Sequence, residues 1–253
     1  MPALSIIIPT CGRPSLARTL QSIQTGGISK EDEVLVLGDG PQPGAQRIAE
    51  SFSSQMKIVY TETERDGHWG HFQRNAGMRL AKGTHLLFID DDDAYLRLAL
   101  LNARAVAKSK PEKISIFQAI LPPRDGSRII WESREVKLGN VDTSMFLVPR
   151  IPDILGQWPL RSGGDFFFIT ETLKLRGETQ ENVVWIECPI AQKFTEDVPR
   201  ERGLKTVFAV SGENFHAVAI RLFNAPEKAE HLRVLNEQAR EPFFSGERLL
   251  VSA

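Results

Sequence analysis

The chain has 253 residues, 42% of them hydrophobic and 25% charged, which is an ordinary composition for a globular protein. A net charge of −1 argues against a nucleic acid or another polyanion as partner. Two cysteines are too few for a disulfide framework or a zinc site. The sequence shows no signal peptide and no apolar run of roughly 18–20 residues, so we expect a cytoplasmic protein without a transmembrane segment.

The first hundred residues alternate between strand-like and helix-like patterns. Short apolar runs predict strands at Leu4–Pro9, Glu33–Pro41, Lys57–Thr63 and His85–Asp90. Apolar spacing predicts helices from Leu16 to Ile23, from Ala45 to Ser53, from Trp69 to Leu80 and from Ala94 to Lys110. The third helix has a predicted apolar stripe of Trp69, Phe72, Ala76 and Leu80, with Gly83 as its C-cap. This alternation predicts parallel β-α-β units, in which ligands bind at the carboxyl ends of the strands.

The second half of the chain is less regular. Strand-like segments are Lys113–Leu121, Arg128–Ser133, Met145–Pro149 and Val183–Phe194. Residues 162–177 read as a loop that leads into a helix, and residues 226–240 as an amphipathic helix. Without a repeat or a low-complexity linker, we interpret residues 1–253 as one α/β domain. Residues 1–100 would form one half and residues 101–253 the other.

Four consecutive carboxylates, Asp90 to Asp93, follow directly on the apolar strand HLLFI. Adjacent carboxylates at a strand end repel one another, and partial burial makes the repulsion stronger. An N-terminal cap on the following helix would explain one or two of them. A divalent cation such as Mg²⁺ or Mn²⁺, which prefers oxygen ligands and also binds phosphate, explains the others.

Three stretches together resemble the nucleotide-sugar half of family 2 glycosyltransferases with the GT-A fold: PTCGRPSLARTLQSI, EVLVLGDGP and GHFQRNAGMRLAKGTHLLFIDDDD. They contain a strand that ends in Pro-Thr with an Arg nearby, an Asp-Gly turn, an Arg-Asn-x-Gly helix and a D-x-D cluster. The resemblance covers about residues 4–100. It implies a Rossmann-like GT-A domain with a mostly parallel central sheet flanked by helices. It also implies a nucleotide-sugar donor (a UDP-sugar is favoured), a saccharide or glycoconjugate acceptor, and Mn²⁺ or Mg²⁺ as cofactor.

The same resemblance assigns roles to residues in the first half. The residues implied to line the donor site are Pro9, Thr10, Arg13, Asp39, Arg74, Asn75, Asp90 and Asp91. Among them, Asp39 would hydrogen-bond the base, Arg74 would approach the base or the diphosphate, and Asn75 would support the loop around it. Asp90 and Asp92 would form the D-x-D pair, with Asp92 on the metal. For Asp93 a helix cap or an adjustment of the metal site both remain open.

In the second half, Asp165 in RSGGDFFF is the implied catalytic base. Family 2 enzymes invert the anomeric carbon, so one carboxylate that accepts the proton of the acceptor hydroxyl would suffice. Glu171 is a weaker candidate. Trp158 and Trp185 could stack on the acceptor sugar, and His216 could contact the metal or a phosphate.

Several of these residues could instead have purely structural roles. Asp39 could simply form a turn, and Asp165 could cap its helix. A tryptophan is more often part of a core, and a histidine such as His216 more often has a structural hydrogen bond. At the level of function, the alternatives are a non-catalytic nucleotide-sugar or carbohydrate-binding relative and a sugar nucleotidyltransferase. A response-regulator-like module would leave the Arg-Asn-Ala-Gly and Asp-rich segments unused.

Overall fold

The structure, a computed structural model, describes residues 3–121, 128–130 and 133–194, the short middle range by its backbone alone. In these ranges the strands are β1 (Leu4–Thr10), β2 (Glu33–Asp39), β3 (Ile58–Thr63), β4 (His85–Phe88), β5 (Ala94–Tyr95), β6 (Ser115–Leu121), β7 (Arg128–Ile130), β8 (Phe146–Pro149) and β9 (Val184–Gln192). The α-helices are α1 (Leu16–Thr25), α2 (Pro43–Ser51), α3 (His71–Leu80), α4 (Ala99–Ser109) and α5 (Gly164–Leu175). His216 and the predicted helix at 226–240 lie outside the described residues.

The strands form one mixed sheet in the order β3-β2-β1-β4-β8-β6-β9-β5, with β7 paired to β6. The first four strands are parallel: β1 pairs with β2 and with β4, and β2 pairs with β3. Strand β8 then runs antiparallel to both β4 and β6. The predicted parallel arrangement is therefore confirmed for the first half of the chain. All four parallel strands present their carboxyl ends at one edge, which we call the carboxyl edge.

Both faces of β1, β2 and β4 are buried, as their near-continuous apolar sequences require, whereas the edge strand β3 is partly exposed. In β1, Leu4, Ile6 and Ile8 contribute to a core on the face that α1 covers. Ile7 contributes to the core on the opposite face, with Trp158 and residues of α5. Burying both faces fixes the register of the strands, because a shift by one residue would exchange the side chains of the two cores. The residues at the carboxyl edge are held in place by this core.

By mutual contacts the chain divides into two compact units, residues 1–119 with 130–191 and residues 120–129 with 192–253. Every residue of the candidate site belongs to the first unit. Of the second unit, the structure describes only the ends of β6 and β9, most of β7 and two residues after β9. The interpretation of the chain as a single domain stays a prediction.

Two predicted helices differ from those observed. Helix α3 begins at His71, so Trp69 precedes it and is exposed, and Leu80 is exposed at its end. The side chains that α3 buries include His71, Arg74 and Met78, because this helix faces the polar carboxyl edge as well as the apolar core. The predicted apolar stripe is therefore wrong, and the C-cap is Ala81 rather than the predicted glycine.

The segment after the aspartates also differs from its prediction. Ala94 and Tyr95 form the short strand β5, and α4 begins only at Ala99 with Leu98 as its N-cap. None of the four aspartates therefore caps a helix, and the capping interpretation is wrong. Their concentration at the strand end requires another explanation.

Candidate active site

The four aspartates occupy a tight turn between β4 and β5. The backbone N–H of Asp93 donates to the carbonyl of Asp90 at 3.2 Å. Helix α1 holds the turn from one side, because the Thr19 hydroxyl donates to the carbonyl of Asp93 at 2.7 Å and Arg18 donates to the carbonyl of Asp92. The sequence reasoning missed Arg18 and Thr19. Their position on the helix that follows β1, with Arg13 shortly before it, was the available signal.

Asp91 faces β1 and the loop after it. Its carboxylate accepts hydrogen bonds from the Thr10 hydroxyl at 2.6 Å and from the Arg13 guanidinium at 3.0 Å. Burial raises the pKa of Asp91, and so do the charges of Asp92 and Asp90, whereas the bond from Thr10 and the charge of Arg13 lower it. Arg13 also donates to Asp92 at 2.9 Å and so holds two of the four carboxylates together.

Asp90 is bound from the other side by Arg74 of α3. The guanidinium of Arg74 forms an ion pair with Asp90, donates to the carbonyl of Trp69 at 2.7 Å and lies 4.8 Å above the ring of Trp158. The Arg74 side chain is buried. A buried guanidinium in this position is a fixed positive charge at the carboxyl edge. The predicted donor residues Thr10, Arg13, Arg74, Asp90 and Asp91 therefore lie together.

Three of the aspartates could hold a cation. One carboxylate oxygen each from Asp90, Asp92 and Asp93 lies within 4.8 Å of the other two. An all-oxygen set of carboxylates, with Asp90 and Asp92 partly exposed, suits Mg²⁺ or Mn²⁺, which also keep positions for water or phosphate. The residues present therefore fit the cation that the resemblance implies. Asp93 joins Asp92 in this group, while Asp91 is oriented towards Thr10 and Arg13.

Asp39 lies at the end of β2 and orders the loop that precedes α3. Its Oδ1 accepts hydrogen bonds from the backbone N–H of Asp66 at 2.6 Å and from the Gln73 amide at 3.0 Å. Its Oδ2 accepts from the N–H of Gly67 at 3.2 Å. Gln73 has no sequence signal, since a glutamine on a helix is common. Pro9, the remaining predicted pocket residue, lies in β1 close to Gly70 of the same loop.

The side-chain amide of Asn75 forms two hydrogen bonds with the backbone of Trp158. Its Nδ2 donates to the carbonyl of Trp158, and its Oδ1 accepts from the N–H of Trp158, both at 2.9 Å. Trp158 itself is buried and stacks on Phe168 with ring centroids 4.5 Å apart. Trp158 is therefore a core residue and not an acceptor platform, and Trp185 packs partly buried against the same core. Asn75 thus connects α3 to the segment that leads to α5.

Asp165 lies in the first turn of α5 and is partly buried. The N-cap of α5 is Gly163, with a φ of 76°, so Asp165 is not the helix cap. One of its oxygens accepts from the N–H of Phe166 at 2.8 Å. The structure thus leaves Asp165 as a partly exposed carboxylate at a helix N-terminus, where the helix dipole favours its charge.

His71 connects the start of α5 with the arginine on α3. Its Nδ1 lies 2.6 Å from the carbonyl oxygen of Pro159, so this nitrogen carries the proton and donates it. A Cβ at Gly164 would lie 2.4 Å from the imidazole, which shows how closely the first turn of α5 packs on His71. Burial and the charge of Arg74 lower the pKa of His71. This contact packs the first turn of α5, which contains Asp165, against His71.

Comparison with known proteins shows the family of this chain. The sequence model of the family described as "Glycosyl transferase family 2" matches residues 5–169. The chain belongs to glycosyl transferase family 2. The matched range contains the aspartate turn, both arginines and the start of α5.

The curated relatives of this family 2 chain match it over limited lengths. A chondroitin synthase of Escherichia coli is 34% identical over 92 residues, which are 36% of this chain and 13% of the relative. A GalNAc(5)-diNAcBac-PP-undecaprenol beta-1,3-glucosyltransferase of Campylobacter jejuni is 27% identical over 131 residues, 50% of this chain and 41% of the relative. An uncharacterized glycosyltransferase of Haemophilus influenzae is 31% identical over 93 residues, 37% and 30% of the two chains. The matched part is thus less than half of each of these relatives.

Solved structures show the same fold. TarS of S. aureus, residues 1–349 in complex with UDP-GlcNAc, aligns with a TM-score of 0.64 at 17% identity, over 98% of this chain and 74% of that one. The same TarS fragment in complex with UDP aligns with a TM-score of 0.60 at 17% identity, over 93% and 70%. The family 2 chain therefore has the GT-A fold. In the part of the chain that the structure describes, every helix is too short or too polar to cross a membrane.

Proposed function

We propose that this chain is a glycosyltransferase that moves a sugar from a nucleotide diphosphate to an acceptor hydroxyl, with inversion at the anomeric carbon. The observation that carries the proposal is the group of Asp90, Asp92 and Asp93 at the carboxyl edge, between Arg13 and Arg74, in a chain of family 2. Carboxylates that bind a cation, together with fixed guanidinium groups, suit a diphosphate leaving group. A UDP-sugar is the favoured donor, since the S. aureus TarS fragment was solved with UDP and with UDP-GlcNAc.

The base of the nucleotide would be recognised near the end of β2. Oδ2 of Asp39 accepts one hydrogen bond at 3.2 Å and, as a carboxylate oxygen, can accept a second one. An acceptor of this kind suits the N3–H of uracil. Thr10, which bonds to the buried Asp91, would set the floor of the same pocket.

The metal would be held by Asp92, with Asp93 and Asp90 beside it. A bound Mn²⁺ or Mg²⁺ supplies positive charge to the leaving diphosphate. The chain itself contributes Arg74, whose buried guanidinium is held by Asp90 and by the Trp69 carbonyl, and Arg13, which is held by Asp91 and Asp92. These fixed charges need no reorientation when the leaving group forms.

Asp165 would accept the proton of the acceptor hydroxyl. In the transfer step the acceptor oxygen forms a bond to the anomeric carbon while the bond from that carbon to the phosphate oxygen breaks. The acceptor proton moves to the carboxylate of Asp165, and the electron pair of the broken bond leaves with the diphosphate. The partial exposure of Asp165 and the packing of the neighbouring Gly164 on His71 support this role.

Titration calorimetry of UDP, GDP and dTDP tests the donor site. With Mn²⁺ we expect UDP to bind to the wild-type chain and binding to be lost with EDTA and in Asp92→Asn, because a cation held by Asp92 would supply positive charge to the diphosphate. Glu62→Gln, a change at the exposed end of β3, is the matched control and should bind as wild type. If UDP binds equally well with EDTA, the metal-dependent part of the proposal is wrong. If none of the three nucleotides binds, the donor site itself is wrong.

The catalytic base is tested by the release of UDP from UDP-glucose, UDP-galactose, UDP-GlcNAc and UDP-GalNAc, with water or a saccharide as acceptor. We expect Asp165→Asn to lower the rate by about 10²-fold or more and to leave UDP binding unchanged, because general-base catalysis contributes about 10²–10⁴. Glu171→Gln is the control, since Glu171 lies two turns further along α5 and binds the N–H of Gln157 at 3.0 Å. Equal rates in wild type and Asp165→Asn would exclude Asp165 as the base. UDP binding without any sugar transfer would favour the non-catalytic alternative.

A further inference from the structure

Trp69 is an exposed aromatic side chain with an unusual backbone. Its relative exposure is 65%, and its φ is 50°, in the left-handed region that favours glycine. Among the described residues it is the one aromatic side chain in the group of exposed large hydrophobic residues. Bulky residues rarely adopt this conformation unless the surrounding structure imposes it. Residues of the carboxyl edge impose it here.

One hydrogen bond to Trp69 and one close approach at Gly70 fix the backbone of this segment. Its carbonyl accepts the 2.7 Å hydrogen bond from Arg74, which is the residue paired with Asp90. The next residue, Gly70, has a φ of 75°, and a Cβ at this position would lie 2.5 Å from the side chain of Pro9. The same residues that build the candidate donor site therefore hold the indole ring in an exposed position.

The ring of Trp69 lies beside that of His71. Its centroid is 5.9 Å from that of His71, and His71 in turn binds the Pro159 carbonyl and packs on Gly164, next to Asp165. Asp39, the residue proposed to bind the base, holds the opposite end of the same loop through the N–H groups of Asp66 and Gly67. The side chain of Trp69 is therefore connected to the side of the site that contains the catalytic base.

We propose that Trp69 forms a stacking platform for the pyranose ring of the acceptor. This inference rests on the proposed function and names a residue that contacts the acceptor. One face of a pyranose ring carries C–H groups and is apolar, while its hydroxyl groups point outward. A flat aromatic surface that is exposed and fixed in orientation binds such a face with little loss of conformational freedom. A sugar stacked on Trp69 would lie next to His71, which packs on the first turn of α5 where Asp165 lies.

Saturation-transfer NMR tests this platform with three probes: methyl β-D-glucopyranoside, methyl β-D-galactopyranoside and methyl N-acetyl-β-D-glucosaminide, each with the protein, UDP and diamagnetic Mg²⁺. We expect signals from the ring C–H protons of at least one probe in the wild type. The signals should be lost in Trp69→Ala and kept in Trp69→Phe, which retains a ring. Leu80→Ala, which removes an exposed apolar side chain at the other end of α3, is the matched control. Stacking of this kind corresponds to about a tenfold change in saccharide affinity.

Calorimetry with UDP separates the possible outcomes. Loss of the saccharide signal in Trp69→Ala with unchanged UDP affinity supports the platform. A weaker UDP affinity in Trp69→Ala with an unchanged saccharide signal would overturn it and assign Trp69 to the nucleotide. Binding of UDP without a saccharide signal in any variant would also overturn it but leave the proposed function intact. If the wild type binds no UDP, it is the proposed function that fails.

Discussion

Buried carboxylates lie at both ends of the parallel strands, but their surroundings differ. At the amino edge, where the strands begin, Asp32 is fully buried and accepts hydrogen bonds from the N–H of Leu4 at 2.9 Å and of Ser29 at 2.8 Å, together with an ion pair to Arg104. Beside it, Glu33 binds the Ser5 hydroxyl at 2.8 Å and the N–H of Lys82 at 2.6 Å. These carboxylates have fixed donors within the fold.

At the carboxyl edge, four carboxylates are crowded into one turn. The pKa values of Glu33 and Asp91 show the difference. Burial by itself would raise the pKa of Glu33, but hydrogen bonds from Lys82, Ser5 and Lys57 bring it below the ordinary value. For Asp91, burial and the neighbouring carboxylates outweigh Thr10 and Arg13, and its pKa is raised. The amino edge uses its carboxylates to stabilise the fold, whereas the carboxyl edge concentrates negative charge where a cation would bind.

The largest expected effect compares one aspartate from each edge. Asp32→Asn should lower the free energy of unfolding by about 3–5 kcal/mol, because it leaves the charge of Arg104 buried without a carboxylate. In the absence of metal, Asp92→Asn should lower it by about 1 kcal/mol or less, since Asp92 is partly exposed and Arg13 keeps Asp91. Urea denaturation of both variants in EDTA measures the difference. Equal losses in the two variants would contradict the distinction between the edges.

A second prediction concerns the packing of the carboxyl edge on α5. Gly164→Ala should lower the free energy of unfolding by about 1–3 kcal/mol, because the new Cβ would overlap the imidazole of His71, which the Pro159 carbonyl holds in place. The change should also reduce sugar transfer, since Asp165 moves with the first turn of α5. Gly44→Ala is the control: this helical position has no atom within 4 Å of the added Cβ, and it should be neutral or stabilising. Thermal melts and UDP release measure the two effects, and a wild-type rate in Gly164→Ala would show that this contact does not position the base.

The smallest effect is a pH dependence that both edges share. Burial lowers the pKa of His71 at the carboxyl edge and that of His85 at the start of β4. Both are neutral in the folded chain as the pH falls through about 6.5, where the unfolded chain takes up protons. The free energy of unfolding should therefore decrease from about pH 7 to pH 5.5, by about 1 kcal/mol or less for each histidine. Melting curves at several pH values should show a smaller decrease in His71→Gln and in His85→Gln, and an unchanged pH dependence in both variants would exclude these histidines as its cause.

Sequence reasoning was accurate where the pattern was local. The four parallel strands followed from apolar runs that end in polar residues, because strand periodicity and the position of strand ends are properties of the chain itself. The family followed from the resemblance of three short stretches that carry the Pro-Thr, Asp-Gly, Arg-Asn-x-Gly and D-x-D patterns. It was wrong for α3, where a 3.6-residue spacing of apolar side chains led to Trp69 and Leu80 as buried residues. The helix instead buries His71 and Arg74, because it packs against a polar edge that no spacing rule reveals.

For the candidate site, too, some features follow from the sequence and others only from the tertiary structure. The sequence by itself determined which chemical groups are available: a run of carboxylates after a buried strand, arginines after β1 and in α3, and an aspartate after two glycines. Only the tertiary structure decided that Asp91 faces Thr10 and Arg13 while Asp93 joins Asp90 and Asp92, and that Trp69 is exposed beside His71. The physical reason is that these arrangements depend on contacts between residues 81 to 88 positions apart along the chain, and such contacts form only when the helices pack on the sheet.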